Sequence, residues 1–197
     1  MKKAVFLDRD GIINELVYFP EQGIVDTPIN PSQVKLIFGV DKLINVAKEI
    51  GFLVIVISNQ PAIGLKKING KDFRSIDKTI KHLLLKKALK IDGSYYCLHH
   101  PFAKLPKYKK ICDCRKPKIG LFKKASSNFN INLSKSWMIG DGVDDIKAGE
   151  KAGCKTILLA NINSSENLRI LEKQLGKTKS DFIVKNLIEA SDILKKS

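Results

Sequence analysis

The 197-residue chain carries 35 Lys and Arg against 20 Asp and Glu, a formal charge of +15, with 44% apolar and 28% charged residues. That length supports one globular domain with a proper core, and the composition is too apolar for a disordered chain. No apolar run is long enough to span a bilayer, and Asp8 interrupts the N-terminal apolar stretch before a signal-peptide core could form, so a cytoplasmic protein without a membrane partner is expected.

Strong positive charge is a mark of nucleic-acid binding. Here, however, only four of the 35 cations are arginine (Arg9, Arg74, Arg115 and Arg169). Arginine supplies the bidentate contacts such binders use, and the lysines are scattered apart from short clusters at Lys66-Lys67 and Lys107 to Lys110. Solvated lysine faces are the expected reading, and an anionic small substrate is compatible with them.

In chain order, short β-branched runs at Ala4–Leu7, Leu53–Ile57, Ser136–Ile139 and Thr156–Leu159 alternate with amphipathic segments of helical period. The helical segments are Gly39–Ile50, Lys71–Lys90, Lys118–Phe129, Val143–Ala152, Ser165–Leu175 and Lys185–Lys195. Strands that are apolar throughout and alternate with helices predict an α/β fold, a Rossmann-like parallel sheet with helices on both faces. There are no repeats or linkers, so a single domain over residues 1–197 is expected, as a monomer.

Ligands of such sheets sit beyond the carboxyl ends of the strands. The polar residues that follow the apolar runs are Asp8-Arg9-Asp10-Gly11, Ser58-Asn59-Gln60 and Gly140-Asp141-Gly142-Val143-Asp144-Asp145. Asp8 and Asp10, at i and i+2, point to the same side. Two carboxylates that close need a cation or a shared proton, and Asp141 brings a third, an oxygen set suited to Mg²⁺. Ser58 and Asn59 add neutral donors to phosphate oxygens. A metal, an acidic nucleophile and phosphate donors together fit phosphoryl transfer through an aspartyl-phosphate. A single Asp-x-Asp would be read as a turn or helix cap; three strand ends in the right order are not.

Phe6-Leu-Asp-Arg-Asp-Gly11, Ser58-Asn59, Lys116 and Gly140-Asp-Gly-Val-Asp-Asp145 resemble, in order and content, the four motifs of the haloacid dehalogenase (HAD) superfamily of phosphatases. The resemblance implies that Asp8 attacks phosphorus and that Asp10 serves as acid and then base. It further implies that Asp8, Asp141 and the backbone carbonyl of Asp10 hold Mg²⁺, and that Ser58 and Lys116 bind the phosphoryl oxygens. Fixed positive charge at Lys116 would offset the repulsion between a carboxylate and a phosphate dianion. Alternation of Asp10 between acid and base would require carboxylate neighbours that raise its pKa.

Three of the four cysteines lie in Cys97-Leu-His99-His100-Pro101 and Cys112-Asp-Cys114-Arg115-Lys116-Pro117. Cys97, His99, Cys112 and Cys114 make a Cys₃His set, a closed tetrahedral donor group of the structural Zn²⁺ type, in a loop at about 97–114. Disulfide pairing fits poorly with Cys-x-Cys spacing in a reducing compartment, and chance clustering is the remaining alternative. Cys154 reads as a buried core thiol, His100 as loop packing or a substrate contact, and His82 as exposed or half-buried.

The zinc loop is similar to that of the heptose bisphosphate phosphatase and histidinol phosphatase branch, which carries it in place of a large cap. Within that branch the resemblance implies that Arg115 and Asn59 help hold a small phosphorylated sugar. It also implies removal of the C7 phosphate of a heptose 1,7-bisphosphate, a step toward activated heptose for lipopolysaccharide and related glycans. Histidinol-phosphate phosphatase is the nearest alternative, followed by a nucleic-acid 3′-phosphatase and a non-enzymatic zinc-stabilised module. The chain departs from the family pattern at Gly142, where relatives carry Lys or Arg, at Pro61–Lys67, whose cations come later than usual, and mildly at Ile12. Val17–Leu36 is longer than in many relatives, a substrate-facing loop or a surface excursion.

Overall fold

The computed structural model describes residues 1–160 and 165–197. Six strands form one parallel sheet: β1 (Ala4–Leu7), β4 (Leu53–Asn59), β5 (Gly93–Cys97), β6 (Trp137–Gly140), β7 (Lys155–Leu159) and β8 (Phe182–Val184), in the spatial order β5-β4-β1-β6-β7-β8. A separate antiparallel hairpin, β2 (Val17–Phe19) with β3 (Ile24–Asp26), follows β1.

Side-chain alternation assigns each strand residue to one of two cores. Val5 and Leu7 of β1 face α1 (Val40–Glu49), α2 (Gly70–Lys86) and α6 (Leu187–Lys195), through Leu43, Ile44, Ile76, Ile80 and Leu194. Ala4 and Phe6 face the opposite side, where α3 (Gly120–Phe129) supplies Leu121, Phe122 and Ala125, and α4 (Val143–Lys151) supplies Ala148. Phe6 and Phe122 pack in a tilted pair with ring centres 4.9 Å apart, and both are fully buried. A third, smaller cluster joins α4 to α5 (Ser165–Leu175) through Ile146, Leu158 and Leu175. Every residue of β1 is buried, which is why its run is apolar throughout instead of alternating.

Boundaries moved where side chains and turns overrode periodicity. α2 starts at a capping box, in which the Asn69 side chain accepts from Lys71 and Asp72 N–H and Asp72 returns a bond to Asn69 N–H. It ends at Lys86 and not at Lys90, because Ala88 turns left-handed (φ 55°), Ala88 N–H donates to Leu85 and Leu89 N–H to Leu84. That is a Schellman closure with the apolar Leu89 folded back onto the core. β4 runs two residues past the expected Ile57, so Ser58 and Asn59 lie on the strand and pair with Tyr96 and Cys97 of β5. β5, β8 and the hairpin were absent from the expected elements; the hairpin occupies part of Val17–Leu36 and is joined to the segment before α2 by a Lys67–Asp26 ion pair.

Among the described residues no helix is long and apolar enough to cross a membrane. The chain leaves β1 for β4 on one side and later takes up β6 on the other. The crevice of a parallel sheet opens at such a reversal, at the carboxyl end of β1.

Candidate active site

Asp8 follows β1 directly, with its N–H bonded to the Ile139 carbonyl of β6. Asp141 follows β6, and Asp145 stands in the first turn of α4. Carboxylate oxygens of Asp8, Asp141 and Asp145 lie within 4.8 Å of one another. Asp145 is placed by the helix start: one oxygen accepts from Gly142 N–H at 3.1 Å, closing the capping box of α4. Its other oxygen lies 2.5 Å from Lys116 Nζ. The same ammonium lies 3.0 Å from Asp8 and donates to the Ile57 carbonyl at 2.8 Å.

Lys116 is 2% exposed, so its charge stands among low-dielectric walls. Burial opposes that charge, yet Asp145 and then Asp8 outweigh it and hold the ammonium above the usual lysine range. One cation does not neutralise three carboxylates. Burial, then the charges of Asp8 and Asp145, push Asp141 up to about 7. Burial and Asp8 also raise Asp145, against the pull of Lys116.

Backbone shape admits the cluster. A Cβ at Gly11, whose φ is +85°, would collide with the Asp141 carboxylate, and one at Gly140 would collide with Asp145. The chain therefore keeps space for three acids around a point, with all-oxygen donors and a net negative charge. That donor set fits a hard divalent cation such as Mg²⁺.

Ser58 is buried and accepts from Gln60 Nε2 at 3.0 Å. Asn59 grips the Lys116 backbone in both directions, its Nδ2 donating to the carbonyl at 3.1 Å and its Oδ1 accepting from the N–H at 3.0 Å. Asn59, expected beside the phosphate, thus also holds the Lys116 backbone in place. Arg115 donates from Nη1 to the His99 carbonyl at 3.3 Å and lines a cleft of about 330 Å³ beside Lys116, with Lys110, Lys118, Asp144 and Lys151. Gly142 leaves the start of α4 without a side chain.

Asp10 differs from expectation in its surroundings. Its side chain stands outside the carboxylate group, and Asp145 takes the third place there. Instead of carboxylate neighbours it meets Arg9 at 2.9 Å, Asn14 at 2.9 Å and Gln60 at 2.5 Å. Asp145 stood inside the quoted Gly140–Asp145 run; its place as the N3 acid of a helix capped at Gly142 was the available signal.

At the end of β5 and before α3, Cys97, His99, Cys112 and Cys114 converge, their ligand atoms within 4.8 Å of one another. Thiol sulfurs are 3.2 to 3.5 Å apart, and His99 Nδ1 lies 3.3 Å from the Cys114 sulfur. A tetrahedron with metal–sulfur bonds of about 2.3 Å has edges of about 3.8 Å, so the group is near the size zinc requires. All four cysteines are free thiols. His100 is taken up in its own turn, its Nδ1 accepting from Phe102 N–H at 3.1 Å. His82 is exposed and Cys154 is buried.

A HAD-hydrolase-like family model matches residues 113–190. The D-glycero-beta-D-manno-heptose-1,7-bisphosphate 7-phosphatase of Haemophilus ducreyi is 32% identical over 189 residues, covering 95% of this chain and 96% of that protein. The enzyme of the same name from Haemophilus influenzae is 31% identical over 196 residues, covering 100% and 98%. In structure, the chain superposes on the D,D-heptose 1.7-bisphosphate phosphatase of B. bronchiseptica, complexed with magnesium and phosphate, with a TM-score of 0.77, 20% identity and 99% coverage of both chains. A putative HAD-like phosphatase from Mesorhizobium loti gives 0.72 at 24% identity, covering 91% and 89%. With relatives matched end to end at this identity and the same parallel sheet, the chain belongs to the HAD-like hydrolases, in the family of the heptose-1,7-bisphosphate 7-phosphatases, and is a phosphoric monoester hydrolase.

Proposed function

We propose that the protein removes the C7 phosphate of D-glycero-β-D-manno-heptose 1,7-bisphosphate through an aspartyl-phosphate on Asp8. The observation that carries the mechanism is the buried Lys116 ammonium, 3.0 Å from Asp8 at the carboxyl end of β1. The names of the end-to-end relatives carry the substrate.

In this reading an Asp8 oxygen attacks phosphorus. The bond between phosphorus and the C7 oxygen breaks, its electron pair goes to that oxygen, and Asp10 supplies the proton. Water then attacks the phosphoryl group, gives a proton to Asp10, and the Asp8–phosphorus bond breaks with its pair returning to the carboxylate. Lys116 and Ser58 hold the equatorial phosphoryl oxygens, and preorganised donors of this kind lower the barrier because they need not reorganise. Asp8, Asp141 and Asp145 would hold Mg²⁺, with the Asp10 backbone carbonyl as a further ligand. Bound there, the ion supplies charge neutralisation between phosphate and nucleophile. Arg115, with Lys110, lines the cleft into which the rest of the sugar phosphate extends. Cys97, His99, Cys112 and Cys114 would bind a structural Zn²⁺, all four positions being filled by protein.

The test is phosphate release with Mg²⁺ from the β and α anomers of the bisphosphate, from histidinol phosphate and from a 3′-phosphorylated oligonucleotide. The β heptose bisphosphate is expected to be turned over with the highest kcat/KM, and Asp8→Asn to abolish it. A preference for histidinol phosphate or the oligonucleotide would move the substrate assignment. Full activity of Asp8→Asn would remove the aspartyl-phosphate.

A further inference from the structure

Both carboxylate oxygens of Asp10 are occupied. Arg9 reaches them through Nε and Nη2, closest at 2.9 Å, Asn14 Nδ2 donates to one at 2.9 Å and Gln60 Nε2 to the other at 2.5 Å. Arg9 is 2% exposed, and its guanidinium lies 5.7 Å from the Phe73 ring centre and 5.8 Å from that of Tyr96. Those two rings meet edge-on, 5.6 Å apart, and the Tyr96 hydroxyl donates to Asp77 at 2.6 Å.

Such a placement is costly to stability. Arg9 Nη1 is buried without a hydrogen-bond partner among the described residues, and so is Asn14 Oδ1. A hydrophobic residue would pack against these two aromatic rings at lower cost than a partly paired guanidinium. What the arginine gives in return is a two-pronged grip on one carboxylate, and its own two aromatic walls fix its direction.

Gln60 extends the grip. The same Nε2 that donates to Asp10 donates to Ser58 Oγ at 3.0 Å, and the Gln60 backbone N–H donates to the Cys97 carbonyl at 2.7 Å. Gln60 therefore ties Asp10 to Ser58 through its side-chain amide and anchors both to the root of the cysteine loop through its backbone N–H.

We propose that Arg9, seated against Phe73 and Tyr96, and Gln60 are positioning residues that fix the direction in which the Asp10 carboxyl group meets the leaving oxygen. The inference rests on Asp10 as the proton-transfer group. Neither residue exchanges a proton; each acts through Asp10.

The experiment compares two phosphomonoesters. The C7 oxygen of the heptose bisphosphate leaves as an alkoxide and needs a proton, whereas p-nitrophenyl phosphate releases a stable phenolate that does not. Misaiming a reacting group costs about 10²-fold. Arg9→Met is therefore expected to lower kcat on the bisphosphate by about that factor with KM changed less than about threefold. First-turnover release of p-nitrophenolate stays within about threefold of wild type and accumulates as a burst of about one equivalent, because water attack on the aspartyl-phosphate still needs Asp10. Arg9→Lys, which keeps the cation, recovers about tenfold of the loss. Gln60→Met makes the same comparison if Arg9→Met does not fold, as judged by circular dichroism and melting. Wild-type kcat in either folded variant, or an equal fall in alkyl turnover and aryl burst, overturns the proposal. Asp8→Asn abolishes the aryl burst itself; if the burst survived, the Asp8 reading would fail whatever Arg9 does.

Discussion

Replacing Lys116 with methionine keeps the volume and removes the cation. The structure gives the consequence: Asp8 at 3.0 Å and Asp145 at 2.5 Å lose their partner, and the Ile57 carbonyl loses its donor. Breaking a buried ion pair from one side costs about 3–5 kcal/mol, since the remaining charge is left uncompensated. For a chain of this size each kcal/mol lowers Tm by about 2–4 °C, so a fall of about 6–20 °C is expected. The assay is calorimetric or circular-dichroism melting in EDTA, because a divalent ion among Asp8, Asp141 and Asp145 would replace the missing charge. Adding Asp145→Asn to the variant removes one stranded carboxylate, and the double variant is expected to be more stable than Lys116→Met alone. A Tm within about 2 °C of wild type would refute the buried-pair reasoning. So would a double variant less stable than the single one, because the two residues would then not be coupled as drawn.

Elemental analysis of the purified protein is expected to find about one zinc per chain, with Cys112→Ser losing the metal and melting at lower temperature; a zinc-free protein with an unchanged melt would count against the Cys₃His site. At the end of α2, Ala88 occupies a left-handed position that glycine accepts without strain. Ala88→Gly is therefore expected to raise stability by up to about 1 kcal/mol in denaturant melts, and a loss of stability would mean that the Schellman closure is misplaced.

Elements read best from sequence where burial was complete. β1 was delimited to the residue because Ala4 to Leu7 are all buried and Asp8 ends the run. β5 escaped because Gly-Ser-Tyr-Tyr-Cys is half-buried and polar enough to pass for loop, although it carries both Tyr96 and Cys97. β8 and the hairpin have three residues per strand and mostly exposed or half-buried positions, too little for an alternating pattern to emerge. The cysteine cluster was legible because its spacing is local.

What stayed hidden at the site depends on side-chain direction. Asp145 enters the acid group through a helix cap and a lysine 29 positions earlier in the chain, neither of which a strand-end pattern contains. Asp10 turns toward Arg9, Asn14 and Gln60, and the carboxylate neighbours expected from its spacing to Asp8 are not its partners. The charge of +15 says little about the site, where the cations that matter are the buried Lys116 beside Asp8 and Asp145 and the buried Arg9 beside Asp10.

The most direct test of the central claim is to quench turnover of heptose bisphosphate labelled at the C7 phosphate and locate the label on the protein. An acid-stable, hydroxylamine-labile phosphoryl group on Asp8 is expected, at up to about one equivalent per chain, and none in Asp8→Asn. Label on another residue, or rapid turnover in Asp8→Asn with no label at all, would contradict it.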